Sequence, residues 1–294
     1  MELLDGRQTS KHIKAEIAQE VSQIKENGEK TPHLAAIIVG DDPASKTYVR
    51  SKERACERVG FDSTILNLPG DTSEATLIDQ IDQLNKDDEI DGFIVQLPLP
   101  DHIDEQKVLM LIDPDKDVDG FHPTNFGKMA LDMDSFVPAT PFGILELLKR
   151  YEVPTKGKNT VVIGRSHIVG RPMSILLSQK SYPGNSTVTI THRHTENLKN
   201  ITLKADIVVV AIGAPEFLTA DMVKEGATVI DVGINRVPDE NAKKGYVLKG
   251  DVAFESVKEK AAFITPVPGG VGPMTVTMLL KNTLLARQRH AAKH

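Results

Sequence analysis

Tryptophan is absent from the chain, and aromatic residues of all kinds make up 4 % of it. Its cores must therefore be aliphatic. Cysteine is nearly absent too. Cys56 stands alone, so no intrachain disulfide can form, which fits a reducing compartment such as the cytoplasm. In a helical pattern, a lone cysteine reads first as a packing residue. There is no long run of lysine and arginine, and the net charge is −6. Both features argue against nucleic acid or an anionic membrane as a partner. No apolar run reaches the length of a membrane span. The first residues, MELLDGRQTSKHIK, lack a long apolar core, so no secretory signal is expected. What the chain does have is 294 residues of which 40 % are apolar, enough for two domains of ordinary size.

The first half alternates helix and strand. Ile13, Ile17, Val21 and Ile24 recur at helical spacing and predict an amphipathic helix over about residues 9–27. LAAIIV at 34–39 reads as a buried strand, and Ser45 as the cap of the next helix. That helix places Tyr48, Lys52, Ala55 and Val59 on one face. Lys52 then has two readings. Its stem can lie on apolar surface while the ammonium snorkels to water. Alternatively, it is held at a cleft with its pKa lowered by burial, ready to act as a base. A second strand at 64–68, a helix from Ser73 and a third strand at 92–95 complete a β-α-β-α-β order and predict a parallel sheet. Gln96 stands just past the third strand, where cleft residues gather, although its amide could equally bond the loop backbone. The loop DPDKDVDGF at 113–121 carries four carboxylates. It lacks the glycine and final glutamate of an EF-hand, so no metal is expected there. One carboxylate could instead accept hydrogen bonds from a substrate ring.

The second half turns on TVVIGRSHIVGRPMS at 160–174. Three β-branched residues, Gly164, and a helical pattern opened by Pro172 make a strand–turn–helix corner of the phosphate-binding kind. Ser166 occupies the second glycine position of a dinucleotide fingerprint, so the corner alone could be ordinary. After the next strand, at 187–190, comes His192-Arg193-His194 where NAD-binding folds carry a ribose-binding carboxylate. A cation there suits a 2′-phosphate and favours NADP. The two histidines have no third ligand at a telling spacing, so they are not read as a metal site. DIVVVA at 206–211 and ATVIDV at 227–232 add two more strands that end in glycine turns, and a last helix starts near Thr275. The tail ARQRHAAKH reads as a solvated end.

Together these segments resemble one family, the bifunctional methylenetetrahydrofolate dehydrogenase/methenyltetrahydrofolate cyclohydrolases. The likeness rests on YVRSK at 48–52, VQLPLP at 95–100, KDVDG at 116–120, GRSHIVG at 164–170, DVGIN at 231–235, GDV at 250–252 and PGGVGPMT at 268–275. It implies an α/β chain of two domains. One, residues 1–139 plus 274–294, is the catalytic, folate-binding domain. The other, residues 140–273, is a Rossmann-like NADP-binding domain (NAD in some members of the family), after which the C-terminal helix returns to the first. It further implies a cytoplasmic homodimer acting on tetrahydrofolate derivatives in the one-carbon metabolism that feeds purine, histidine and methionine synthesis. It carries over Lys52 as the catalytic lysine, positioned with the folate by Tyr48 and Gln96. Asp119 takes the pteridine ring, and Pro268 and Gly269 join Tyr48 in substrate binding. Gly164, Arg165, Ser166 and Ile234 line the cofactor, and Arg193 faces its 2′-phosphate. Two departures stand out. Pro-Cys-Thr-Pro of the family reads Pro138-Ala139-Thr140-Pro141 here, so a thiol at that point is not essential, and the loop at 181–185 is longer than in compact members.

Overall fold

The computed structural model describes residues 1–242 and 245–292. Lys293 and His294, expected in the first domain, lie outside the described residues. In chain order the elements are β1 (Glu2–Leu3), α1 (Gly6–Glu26), β2 (His33–Val39), α2 (Pro43–Val59), β3 (Asp62–Leu68), α3 (Glu74–Lys86), β4 (Gly92–Val95), α4 (Glu105–Leu109), α5 (Pro123–Ala130) and α6 (Ala139–Arg150). They continue with β5 (Asn159–Ile163), α7 (Gly170–Leu176), β6 (Thr187–Thr191), α8 (Leu198–Thr202), β7 (Ile207–Val210), β8 (Thr228–Asp231), β9 (Asn235–Pro238), β10 (Tyr246–Lys249), α9 (Phe254–Val257), β11 (Phe263–Ile264) and α10 (Val271–Ala291).

The chain divides into two compact units. One comprises Lys11–Ala139 with Val276–His294, and the other Met1–Ser10 with Thr140–Thr275. The first unit is built on a parallel sheet in the order β3-β2-β4. Six of the seven residues of β2 are buried, as a strand covered on both faces requires. Ala35, Ile37, Val39 and Phe93 share one core with Leu77, Ile81 and Leu84 of α3. Each buried Val, Leu, Ile or Phe among them stabilises the fold by about 1.5–3 kcal/mol. The entry to α2 differs from expectation. Asp42, not Ser45, is the cap: its carboxylate accepts the Ser45 N–H at 2.6 Å, and Pro43 occupies the first turn. Asp42 sits one residue before the proline that cannot donate, so its carboxylate is the nearest acceptor. The tail differs as well. α10 runs on to Ala291, with Arg287 donating to Glu29 at 2.5 Å and Arg289 to Asp134 at 2.6 Å. Asn282 donates to the carbonyls of Val118 and Val137, tying α10 to the chain beside Asp119.

The second unit is a six-stranded parallel sheet in the order β1-β11-β8-β7-β5-β6. Leaving β1 aside, the order is that of a doubly wound sheet: β5 leads outward to β6, and the chain then returns to build β7, β8 and β11 on the other side. The order reverses between β5 and β7, and ligands bind such sheets outside the carboxyl ends of the strands at that point. The core between strands and helices is aliphatic, with Val161, Val208, Val210, Val229 and Ile264 all buried. Residues 1–10 pack with this unit. Leu3 pairs with Ile264, the Leu4 N–H bonds the Ile264 carbonyl at 2.9 Å, and the Tyr151 hydroxyl takes the Asp5 N–H at 2.9 Å. A two-residue strand has no periodicity to read, so only its pairing reveals it. Met274 and Thr275 also belong here. Met274 is fully buried, and a Cβ on Gly143 would meet its Cβ at 2.6 Å.

Candidate active site

In the first unit the side chains of α2 and of the loops after β4 come together. Lys52 is half-buried, and its Nζ donates to Gln96 Oε1 at 3.2 Å. The Gln96 amide is oriented in turn, since Nε2 donates to the Leu97 carbonyl at 2.7 Å. Gln96 thus bonds its own loop and presents its oxygen to the lysine. Burial pushes the Lys52 ammonium below its usual value, and the charge of Asp119 pulls it partly back. Asp119 responds in the opposite sense: burial raises its carboxyl, and Lys52 lowers it. Cys56, one turn after Lys52, is buried, and burial pushes its thiol up to about 12. That leaves it an inert packing residue. Tyr48 is 53 % exposed on the same helix, and its hydroxyl makes no hydrogen bond to Lys52 or Gln96. A concavity of about 430 Å³ opens on the opposite face of α2, lined by Lys14, Arg50, Arg54 and Arg58. It holds none of the expected site residues.

The acidic loop divides by role. Asp117 is buried and fully engaged: Oδ2 accepts from the His122 N–H at 2.8 Å and from Asn125 Nδ2 at 2.9 Å. Lys116, also buried, donates to the carbonyls of Leu84 and Asp87. These two fasten the loop, and Asp119 is the carboxylate left near Lys52.

In the second unit, the corner after β5 has the expected form. A Cβ on Gly164, whose φ is +119°, would stand 2.3 Å from the Ala211 carbonyl oxygen, so only glycine fits between β5 and β7. The Ser166 hydroxyl accepts the N–H groups of Val169 and Gly170 at 3.2 and 3.3 Å. Those two donors, expected to face a ligand, are thus taken up internally. The serine does the local capping that a second glycine cannot. The backbone N–H groups of Arg165 to Ile168 make no hydrogen bond to protein and lie on an exposed tip. Four free donors at the switch point suit a pyrophosphate. Arg193 follows β6, is exposed, and its Nε lies 3.0 Å from His194 Nε2. Ile234 is 50 % exposed after β8. The residues present therefore fit NADP: free donors for the pyrophosphate, a cation for the 2′-phosphate and an apolar surface at Ile234. Pro268 and Gly269 belong to this unit as well, where the Gly269 carbonyl accepts the Arg7 N–H at 3.0 Å.

Two family models match the chain. The tetrahydrofolate dehydrogenase/cyclohydrolase catalytic domain covers residues 4–119, and the NAD(P)-binding domain of the same family covers residues 138–291. The chain belongs to the tetrahydrofolate dehydrogenase/cyclohydrolase family. It is 67 % identical over 290 residues to the bifunctional protein FolD of Christiangramia forsetii, spanning 99 % of this chain and 97 % of the relative. It is 66 % identical to that of Flavobacterium johnsoniae over the full length of both. Among solved structures, the bifunctional FolD methylenetetrahydrofolate dehydrogenase/cyclohydrolase of Campylobacter jejuni superposes with a TM-score of 0.92 at 46 % identity. That match covers 98 % of this chain and 99 % of the other. The Trypanosoma brucei enzyme, solved with NADP and an inhibitor, superposes with a TM-score of 0.91 at 39 % identity, over 98 % and 97 % of the two chains. The family's catalytic-domain match contains Tyr48, Lys52, Gln96 and Asp119, and its NAD(P)-binding match contains Gly164, Arg165, Ser166, Arg193, Ile234, Pro268 and Gly269.

Proposed function

We infer that this chain is a bifunctional enzyme of folate one-carbon metabolism. It oxidises 5,10-methylenetetrahydrofolate to the 5,10-methenyl form with NADP⁺ and hydrolyses that product to 10-formyltetrahydrofolate. Family membership supports the pair of activities. The observation that carries the chemistry is the 3.2 Å contact of Lys52 with an amide oxygen, in a site whose burial lowers the lysine's pKa.

Bound NADP⁺ supplies the hydride acceptor. The chain's own residues do the rest. Hydride loss from the methylene bridge moves no proton at carbon, so what it needs is orientation. Asp119 would take the pteridine ring by accepting its N–H groups, and Tyr48 would contact the substrate. In hydrolysis, neutral Lys52 accepts a proton from the attacking water as the C–O bond forms. The resulting ammonium returns a proton to the ring nitrogen as the C–N bond breaks. Gln96 holds the ammonium in place without fixing its charge, since an amide oxygen accepts from it but does not ionise. Gly164, Arg165, Ser166 and Ile234 would line the cofactor, with Arg193 on its 2′-phosphate.

On this reading, residues 1–139 plus 274–294 form the folate-binding catalytic domain, and residues 140–273 form the NADP-binding domain. The protein works in the cytoplasm, upstream of purine, histidine and methionine synthesis, as a homodimer. Exposed Ile190 on the edge strand β6 supports a partner copy there. The test supplies purified protein with 5,10-methylenetetrahydrofolate and NADP⁺ and follows NADPH, then follows the decay of added methenyltetrahydrofolate. Both rates are expected; NADPH without accelerated hydrolysis would reduce the assignment to a dehydrogenase.

A further inference from the structure

Two buried carboxylates stand beneath the turns of the NADP-binding unit, and neither belongs to the site described above. Asp231 ends β8 and is 2 % exposed; Asp251 follows Gly250 and is fully buried. Among the described residues neither has a cationic partner. Both spend their oxygens on fixed donors. Asp231 Oδ1 accepts the N–H groups of Gly233 and Asp251 at 3.0 and 2.9 Å, and Oδ2 accepts that of Val252 at 3.0 Å. Asp251 Oδ2 accepts the N–H groups of Ile212 and Gly213 at 2.8 and 2.9 Å, and Oδ1 accepts from Asn235 Nδ2 at 2.9 Å. The backbone makes room for them. A Cβ on Gly250 would stand 1.8 Å from Asp231 Oδ2, and one on Gly233 would stand 2.2 Å from Asp251 Oδ1.

Burying two like charges without a cation is an expensive way to hold loops together. Serine or asparagine caps accept backbone donors without a charge to desolvate. What a carboxyl adds is several acceptor sites on one side chain, so it can anchor several N–H groups at once. The anchored N–H groups are not scattered. Ile212 and Gly213 form the turn at the end of β7, beside the switch point, and Val232 to Ile234 form the turn between β8 and β9. Each turn presents an apolar side chain outward: Ile212 is 37 % exposed and Ile234 is 50 % exposed.

We propose that Asp231 and Asp251 are positioning residues for the cofactor: linked through the Asp251 N–H, they lock the turns that carry Ile212 and Ile234 into the geometry that receives NADP. The proposal rests on the reading of this unit as NADP-binding, and it adds the side chains that preorganise the surface before the cofactor arrives. Preorganisation of this kind strengthens binding by removing the ordering step.

The test is a swap. In Asp251→Asn the new amide can turn its oxygen to Ile212 and Gly213 or to Asn235, but its nitrogen then faces a donor on the other side. The expected result is an NADP⁺ Kd raised by about tenfold or more in calorimetry without folate, with the folate KM within about twofold. Hydrogen exchange at the Ile212 and Gly213 amides should quicken in the free protein. Adding Asn235→Asp restores the match at position 251, because the carboxylate accepts from the introduced amide and its oxygen returns to the β7 turn; only the longer bond of Asn235 Nδ2 to the Lys249 carbonyl, at 3.3 Å, is given up. The double variant should recover most of the NADP⁺ affinity, and Asn235→Asp alone, which opposes two carboxylates, should not. Unchanged NADP⁺ affinity in folded Asp251→Asn overturns the proposal. So does a loss that the swap fails to repair, or one accompanied by an equal loss of folate binding, because a general structural defect would explain either. If the single variant does not fold, the double variant decides: poor NADP⁺ binding by a folded double variant overturns the proposal. An unaltered protein that binds no NADP⁺ would overturn the cofactor reading itself, which is a separate outcome.

Discussion

Lys52 and Gln96 meet through a single hydrogen bond of 3.2 Å, and the glutamine is itself held by its bond to the Leu97 carbonyl. The consequence is a lysine positioned by a neutral group. A carboxylate bonded in the same place would hold the ammonium charged. Asp119 acts on Lys52 only through its charge, and burial outweighs it. The result is a lysine whose neutral form is brought closer to physiological pH, as a general base requires.

Lys52→Met tests this directly. The variant should lose cyclohydrolase by about 10²-fold or more, the usual worth of a positioned acid/base group, while part of the dehydrogenase survives. Both initial rates are measured on one preparation whose fold is checked by circular dichroism. A surviving hydrolysis rate would mean that another residue is the base.

How much of this was legible beforehand depended on the kind of signal. The helix carrying Lys52 and the strands β2 and β4 were readable, because each is an apolar pattern of its proper period. The cap at Asp42 was misread, because Asp42 and Ser45 are both capping residues and only the backbone path decides between them. β1 was invisible: two residues cannot show a period, and their place in the sheet depends on a partner some 260 positions away. The hairpin of β9 and β10 was also unread, since its residues are only partly buried and alternate weakly. At the site, Lys52 and Gln96 were readable as residues but their contact was not, because it joins two elements 44 positions apart. Asp231 and Asp251 were hidden for the opposite reason: composition offers no hint that a carboxylate will be buried without a cation.

On the proposed reading, Arg193 faces the 2′-phosphate of NADP. It is exposed after β6 and makes no ion pair, so its guanidinium is available to a 2′-phosphate. Arg193→Ala should weaken NADP⁺ by about 1.5–3 kcal/mol, the scale of a charged hydrogen bond, and NAD⁺ hardly at all. Equal losses in the two Kd values would remove the assignment.

Asp119 is the carboxylate of its loop that acts on Lys52 through its charge. Asp119→Ala should raise the folate KM or abolish turnover while NADP⁺ still binds, as read by steady-state kinetics beside calorimetry. It should also move the pH profile of hydrolysis to lower pH, because the charge that raises the Lys52 pKa is gone. Folate kinetics identical to those of the unaltered enzyme would return Asp119 to a solvated turn.

Asp117 gives the loop a pH signature of its own. Burial is the largest influence on it and pushes its carboxyl up to about 6, against the bonds from Asn125 and His122, which favour the ionised form. The unfolded chain releases the same proton near 3.9, roughly. Between about pH 4 and 6, then, the folded protein holds a proton that the unfolded chain has lost, and stability from this group falls as pH rises. It is full below the unfolded value and declines until the folded pKa is passed. In Asp117→Asn the titration is gone. The variant should be less stable throughout, because its amide nitrogen meets the donors of His122, Phe121 or Asn125. The quantity to read is the difference in melting temperature between the two proteins across that range. Asp231 remains in both, so its own titration near 7 cancels to first order. The difference should shrink as pH rises from about 4 to 6 and then level off. Parallel melting curves over this window would show that the Asp117 carboxyl titrates alike in the folded and unfolded states. The loop that carries Asp119 would then not be fastened through a desolvated acid.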